Sequence, residues 1–485
     1  MMENMKSVLT CSNGLKNTGR ACILTMALFL TGCSLLHTSY QTPEIQMPEE
    51  WEHQMQTQAP SMLESNDRWW EQFGDARLNG LIDLAFEHNN NLAVAALKVQ
   101  QAQLRAGLAQ SDLWPNVSVN VSGSGRRSIE HSESWAKSSG ISGNVSYELD
   151  LWGRLTSLRN AAEWEATATQ ADRESAALAL AKTVSDLYWR LAYVNQRIAS
   201  AQESITYAQK TLDLAQAQYD AGAVSSLEPT QSRQNVLTQK SNLSELIQQR
   251  VEICNALAII FDMPPGEDSL ASILPEEPQT LSHDGLPPVY EGIPAEVLAR
   301  RPDLRAAEWR LRASLADVDA VRTSYYPKIS LTGGLGTSSG SLGNLLNNPI
   351  ATLGAGIALP FIQFNEMRMN TKISQLQYEQ AVLNFKQTLY QALSDVEDTL
   401  SARDQLNLQY ILLQQALADS RKTEAIYEER YRAGKVGLKD WLDAQESRRK
   451  AEIALSANQL QRLQNQVLLY QALGGSIEKA ENASH

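Results

Sequence analysis

From Phe361 to Ala433 the chain reads FIQFNEMRMNTKISQLQYEQAVLNFKQTLYQALSDVEDTLSARDQLNLQYILLQQALADSRKTEAIYEERYRA, without a single glycine or proline. Apolar side chains recur at Val382, Phe385, Leu389, Leu393, Val396 and Leu400, in steps of three and four. That is the period of an amphipathic, coiled-coil-like seam. At 1.5 Å per residue a helix of this length reaches roughly 100–110 Å. A globular core has no use for such an element, so the stretch predicts a rod or the wall of a tube. Residues 154–221 form a second run, nearly as long and equally free of breakers.

The resemblance between the two runs extends well beyond them. Tyr431-Arg432-Ala433-Gly434 ends the second, and Tyr219-Asp220-Ala221-Gly222 stands at the same place in the first. The offset that carries Gly222 to Gly434 also places Leu92 on Leu304, Ala95 on Ala307 and Pro115 on Pro327. It holds without a gap from about residue 81 to 262 against 293 to 474. A period this long is not a solenoid of small units. It indicates two structural halves of one domain.

Each half reads alike. A helix of about 25 residues, with Asn91 or Asp303 as its expected N-cap, ends near Trp114-Pro115 or Tyr326-Pro327. An alternating strand follows, Val117–Val121 or Ile329–Thr332, then a Gly/Ser-rich loop over 124–140 or 333–349. A second strand comes next, Asn144–Leu149 or Gly354–Leu359. Alternation bounded by Gly/Ser turns predicts a hairpin. Each long helix then reverses at Gly222 or Gly434 and returns as a shorter helix, 230–263 or 438–473. A connector holding Pro264, Pro265, Pro275, Pro278, Pro287, Pro288 and Pro294 joins the halves.

The N-terminus carries an address. Lys6, Lys16 and Arg20 precede the apolar run Ala21–Leu30, which is too short to span about 30 Å of hydrocarbon as a helix. This is the core of a signal peptide. It ends Leu30-Thr31-Gly32-Cys33, similar to the lipobox at which bacterial lipoproteins are diacylated on cysteine and cleaved just before it. Ser34, rather than an aspartate, suggests passage to the outer membrane. After cleavage Cys33 and Cys254 are the only cysteines, and lipidation consumes the first, so no internal disulfide is expected. Cys254 reads as a small buried hydrophobe.

The formal charge is −13 and falls to −15 without residues 1–32, which argues against nucleic acid as a partner. Mean hydropathy is −0.32. No apolar run in the mature chain approaches the roughly 20 residues that a spanning helix needs. Any membrane crossing must therefore use β-strands. Four strands cannot close a barrel, and lipid does not tolerate an open sheet edge. An oligomer is required.

Further landmarks are Tyr40-Gln41-Thr42-Pro43 ahead of Pro48 and Trp51, Trp69-Trp70-Glu71-Gln72-Phe73-Gly74-Asp75, Leu149-Asp150-Leu151-Trp152-Gly153-Arg154, Arg301-Pro302-Asp303-Leu304 and Leu442-Asp443-Ala444-Gln445. Together with the lipobox they resemble the NodT-type lipoprotein branch of the TolC-like outer-membrane efflux proteins, over essentially the whole mature chain. The resemblance implies a mixed α/β membrane protein, predominantly α. It would be a homotrimer whose 12-stranded β-barrel, four strands per chain, continues into a long periplasmic α-helical coiled-coil tunnel. It implies the exit duct of a tripartite efflux system, linked by a periplasmic adaptor (membrane fusion) protein to an inner-membrane transporter of the RND or ABC type. The outer-membrane component of a type I protein secretion system is the alternative, and a general diffusion porin a weaker one, since porins spend their length on strands. The chain divides into a signal peptide (1–32), a lipidated extension (33–77), two efflux repeats (78–290, with a hairpin about 115–150 and a tip at 219–229; 291–475, with a hairpin about 327–360 and a tip at 431–441) and a tail (476–485).

The resemblance also names sites. Cys33 would carry the N-palmitoyl and S-diacylglycerol anchor in the outer-membrane lipid. Asp440 and Asp443, at i and i+3 on one helix face, would ring the periplasmic mouth, with Tyr431 in the closure network. An arginine of that network is replaced here by Val436. The turns Ala221-Gly222-Ala223 and Ala433-Gly434-Lys435 would be the tips that meet the adaptor. Trp69-Trp70 is expected to pack the N-terminal segment. Where the family has a glycine closing the second hairpin, this chain runs Phe361-Ile362-Gln363-Phe364-Asn365, and Asn365 is expected to make the bend. The six histidines show no HExxH spacing, and GxSxG, Walker and GxGxxG motifs are absent, so no enzyme, metal or cofactor beyond the covalent lipid is expected.

Overall fold

The computed structural model describes residues 37–53, 68–128, 134–266, 271–281, 286–287, 294, 299–341, 347 and 349–475. The order is α1 (Ala76–His88), α2 (Asn90–Ser111), β1 (Asn116–Arg126), β2 (Ala136–Leu149), α3 (Arg154–Asp220) and α4 (Leu227–Ile260). The second half gives α5 (Pro302–Ser324), β3 (Lys328–Ser339), β4 (Pro349–Ala358), α6 (Phe364–Arg432) and α7 (Leu438–Ala472). The two breaker-free runs are thus single helices of 67 and 69 residues. The chain divides into two compact units, one from 1–45, 98–169 and 306–386, the other from 46–97, 170–305 and 387–485. Each draws on both repeats, so neither repeat is a separate domain.

The strands form one antiparallel sheet in the order β1-β2-β3-β4. They run past the short alternating cores expected from sequence and into the Gly/Ser segments. The register shows why. Pairing of Val117 with Val145, Val145 with Gly333 and Gly333 with Leu353 puts odd-numbered residues on one face. That face carries Val117, Val119, Val121, Ile141, Val145, Leu331, Leu335, Leu353 and Ile357, all exposed in the chain taken alone. The opposite face carries Ser118, Asn120, Ser122, Ser142, Asn144, Ser146, Ser330, Thr332 and Thr352. Glycines fit this small-residue face because larger groups would not. A Cβ at Gly334 would lie 2.7 Å from Thr352 Oγ1, and one at Gly354 would lie 2.8 Å from Thr332 Oγ1. Glycine here marks tight sheet packing rather than a loop.

The landmark at 149–154 makes the strand-to-helix corner. Asp150 caps α3 by accepting from the backbone of Leu155 (2.9 Å) and Thr156 (2.8 Å). Trp152 donates from Nε1 to the carbonyl of Pro327 at 2.8 Å. Gly153 takes the left-handed conformation, φ +71°, and Arg154 pairs with Glu148 at 2.8 Å. The equivalent corner in the second half is built differently from expectation. A short 3-10 turn, Pro360–Ile362, makes the bend, closed by Gln363 N–H donating to Pro360 O at 3.0 Å. Asn365 lies inside α6, and among the described non-glycine residues only Asp262 has positive φ.

The helix starts also differ. Asn89, not Asn91, caps α2: its Oδ1 accepts from the backbone of Leu92 at 3.0 Å, and its Nδ2 donates to Ile260 O at 3.0 Å, one of the last carbonyls of α4. Asn91 stands too late in the chain, because α1 and α2 are two helices broken at Asn89. Helix α5 starts on Pro302, whose missing N–H costs nothing at that position. Asp303 serves Arg301 instead, at 2.8 Å. The Arg301 guanidinium, buried, also meets Asp395 at 3.2 Å and donates to Ala472 O at 3.2 Å, satisfying the end of α7.

Trp69 and Trp70 are buried in the core of the second unit. Trp69 stacks on Tyr470 (centroids 5.4 Å apart) and Trp70 meets Phe86 edge-on (5.6 Å). They pack the segment, as expected. The α6 seam is buried at Phe385, Leu389, Val396 and Leu400.

Candidate functional site at the helix turns

Both helical reversals end the long helix in the same way. Gly222 and Gly434 have φ of +72° and +66°. Gly222 N–H donates to Tyr219 O and Ala223 N–H to Gln218 O, both at 2.9 Å. Gly434 to Tyr431 and Lys435 to Arg430 repeat the pattern at the same distances. This pair of bonds is the Schellman cap, which satisfies the last carbonyls of a helix and needs a left-handed residue. Ala221, Gly222, Ala223, Ala433, Gly434 and Lys435 are all exposed, and nothing lies within 4 Å of a Cβ built at either glycine. The turns therefore present two small, rigid, uncovered knuckles.

Behind them sits an aromatic block. Tyr431 and Trp441 are buried and stacked with centroids 5.1 Å apart, against Ala215, Leu438 and the half-buried Val436. The Tyr431 hydroxyl reaches across to the first hairpin, 2.8 Å from Gln218 Oε1 on α3 and 3.1 Å from Glu228 Oε2 on α4. Burial, then the Glu228 carboxylate, push the Tyr431 phenol upward, so it stays protonated and donates. A second crossing lies deeper: Tyr207 on α3 donates to Glu428 on α6 at 3.0 Å.

The two aspartates do not join this block. Asp440 and Asp443 are exposed on the first turns of α7, and Asp443 accepts from Lys439 at 2.8 Å. That hydrogen bond, and the charge behind it, hold the Lys439 ammonium above its usual range. Each Asp443 is thus partly compensated by a cation one turn away. Tyr431 is brought to Gln218 and Glu228, and Val436 fills apolar space where an arginine would supply charge.

A polar groove of about 550 Å³ lies farther along the same helices, lined among others by Gln196, Glu203, Tyr207, Arg421, Arg448 and Glu452. Glu424 is buried beside it and ion-paired with Arg448, which also meets Glu452 at 2.8 Å. Burial raises the Glu424 carboxyl against the opposing pull of Arg448. Sequence reasoning missed Gln218, Glu228, Trp441 and this ion-pair group. Their signal was available only in part: Gln218 and Glu228 flank the first turn, but nothing in spacing says that Tyr431 bonds across to them. Cys33 lies outside the described residues. Among the described residues, no group of three or more His, Cys, Asp or Glu could hold a metal ion, and no helix is long and apolar enough to cross a membrane.

The family model described as "Outer membrane efflux protein" matches residues 81–260 and 293–475, the two repeats. The pyoverdine export outer membrane protein OpmQ of Pseudomonas putida is 31% identical over 464 residues, covering 94% of this chain and 97% of the relative. The toxin and drug export protein A of Aggregatibacter actinomycetemcomitans is 29% identical, covering 94% and 98%. The crystal structure of the Campylobacter jejuni CmeC outer membrane channel is similar with a TM-score of 0.82 at 26% identity, covering 92% of this chain and 96% of that one.

Proposed function

The chain belongs to the outer membrane efflux protein family and is an outer-membrane channel of an efflux system, and we propose that it works as a homotrimeric exit duct. In this reading three copies join their sheets into one 12-stranded barrel, and the long helices continue it as a periplasmic tunnel. Cargo enters from an inner-membrane transporter through a periplasmic adaptor that docks on the turns at Gly222 and Gly434. The chain supplies passage and no catalysis; energy comes from the transporter. Cys33 carries the lipid anchor.

The observation that carries the reading is the sheet. It has one continuous apolar face, one face of hydroxyls, amides and glycine, and two edges, β1 and β4, that no described strand pairs with. Lipid demands that such edges close, and further copies of the same sheet close them with apolar residues outward and small polar residues lining a wet lumen. The helices beside the two edges support the same partner. On α2, which leads into β1, Leu104 and Leu108 are exposed, and on α6, soon after β4, so are Met369, Ile373, Leu376 and Leu383. Bare apolar stripes at helical spacing beside an open sheet edge fit a second copy of this chain.

The relatives named above are called exporters of pyoverdine and of toxin and drug; cargo of comparably varied chemistry is consistent with a lumen face that holds no charge between Ser118 and Ser122 or between Ser142 and Ser146. The test is a pair of substitutions on adjacent residues of β1. Val119→Arg puts a cation on the apolar face, where a bilayer-midplane charge costs roughly 2–4 kcal/mol per copy, and should abolish channels in planar bilayers. Asn120→Arg, on the other face, should still give channels but with altered ion selectivity. Equal behaviour of the two would contradict the barrel.

A further inference from the structure

Asp319 is a buried carboxylate in helix α5, its side chain 1% exposed. A buried charge there is costly unless several donors meet it. Its partners come from the beginning of the mature chain. Thr38 donates to it twice, from the backbone N–H at 2.8 Å and from Oγ1 at 2.7 Å. His37 Nδ1 lies at 3.3 Å, and Arg322, one turn on, completes the set at 2.8 Å. Two residues later the chain is gripped again. The Arg312 guanidinium sits 4.6 Å from the ring centre of Tyr40 and 4.7 Å from that of Trp309, and Trp309 stacks on Trp164 at 5.0 Å. Tyr40 thus closes a layered stack of ring, guanidinium and ring.

The internal duplication says what this group is for. At the offset that carries Gly222 to Gly434, the positions of Trp309, Arg312, Asp319 and Arg322 are held in α2 by Leu97, Gln100, Gly107 and Gln110, all exposed. If the four served the helix itself, the sister helix would need their equivalents. It has none, and the exposure of those four positions leaves them uncovered among the described residues.

We propose that Asp319, with Arg312 and Trp309, is a receptor for the chain's own N-terminal segment His37–Tyr40, and that it fixes where the lipid on Cys33 enters the membrane. The second half rests on the lipidation of Cys33 proposed above. Only four residues separate Cys33 from Thr38, and the five chain steps make a tether of at most about 18 Å. Asp319 stands five residues from the end of α5, about 7 Å of helical rise, and α5 passes into β3 shortly after Ser324. A tether of that length from that foothold sets the anchor at the foot of the sheet, where its apolar face begins.

The test uses the full chain in detergent, with amide hydrogen exchange read on the peptide from Ser34 to Glu50. In the wild type the Thr38 amide should exchange slowly. The Thr38 amide is bonded to a charged acceptor, so Asp319→Ala should speed Thr38 exchange by at least about tenfold. Tyr40→Ala, which leaves α5 untouched, should do the same and keeps the test decisive if Asp319→Ala fails to fold. Thr38 exchange equally fast in wild type and Tyr40→Ala overturns the receptor. The anchor is tested separately with a palmitate analogue bearing a photoreactive diazirine, fed to cells. Wild type and Tyr40→Ala should incorporate equal label, and the yield of cross-links to residues 319–341 of the same chain should fall severalfold in the variant. Unchanged cross-links overturn the positioning role. Absence of label from the wild type overturns the lipid reading itself, whatever the exchange data show.

Discussion

The hydroxyl of Tyr431, near the end of α6, lies 3.1 Å from the carboxylate of Glu228, in the first turn of α4. This bond, with the one to Gln218, ties the two helical hairpins together directly behind the exposed turns. In the proposed duct both hairpins would have to part there for the mouth to widen.

Tyr431→Phe keeps the ring stacked on Trp441 and removes only the donor. Loss of a buried hydrogen bond to a charged acceptor should cost about 1.5–3 kcal/mol, discounted because Glu228 is half exposed. The expected outcome is a higher resting conductance in planar bilayers with assembly unchanged, and a smaller effect of the same sign for Glu228→Gln. Conductance identical to wild type would make Tyr431 a packing residue only.

The turns themselves should separate docking from folding. Gly434→Val forces a β-branched residue to φ +66°, at about 1–2 kcal/mol, so its failure would be ambiguous. Ala221 and Ala433 are exposed, so Ala221→Trp with Ala433→Trp should leave melting unchanged while export falls to background. Normal export from that double variant in a cell-based accumulation assay would remove the turns from the docking surface.

Asp440 and Asp443, placed at the mouth only by the resemblance, give a prediction of opposite signs. Asp443 is compensated by Lys439 at 2.8 Å, so Lys439→Gln should strengthen cation selectivity in a bilayer. Asp440→Ala with Asp443→Ala should weaken it and reduce block by multivalent cations. Selectivity that moves in neither variant places both aspartates on a plain wet helix face.

His53 should make one attachment of the N-terminal segment pH-dependent. Its Nδ1 lies 2.5 Å from Glu397 Oε1, and its backbone N–H donates to the same oxygen at 3.0 Å. The hydrogen bond to Glu397 is the main cause that raises the imidazole above its usual value of 6.5, and Glu52 and Asp404 add to it. A histidine raised in the folded state stabilises fully below its unfolded value and loses that contribution as pH climbs through the folded one. Amide exchange at His53 should therefore be slowest below about pH 6.5 and quicken above it once corrected for intrinsic rates. His53→Gln should flatten the profile.

Much of this architecture is legible in the sequence because it rests on local rules. Breaker-free runs set α3 and α6 to within a few residues, and the repeated glycines set both turns. Sequence alone makes the strands too short because glycine signals a loop locally, whereas Gly334, inside the expected loop, is required by Thr352 on the neighbouring strand. Asn365 suggests itself as the bend because it tolerates the left-handed region that the family's glycine would fill, yet Pro360 already makes the turn five residues earlier. The caps slip because Asn89 answers to Ile260, a partner 171 residues away. The site follows the same division. Its turns and aspartates are local patterns, while the links from Tyr431 to Glu228 and from Asp319 to Thr38 join residues 203 and 281 positions apart. No period in the sequence records such pairs.

The central claim is that one chain is an incomplete channel whose sheet is closed only by copies of itself. Native mass spectrometry of the detergent-extracted protein tests it most directly. The account predicts a single dominant species of three chains that survives dilution, collapsing to single chains in Val119→Arg. A stable single chain that still conducts in bilayers, or a dominant complex of any other number, would contradict it.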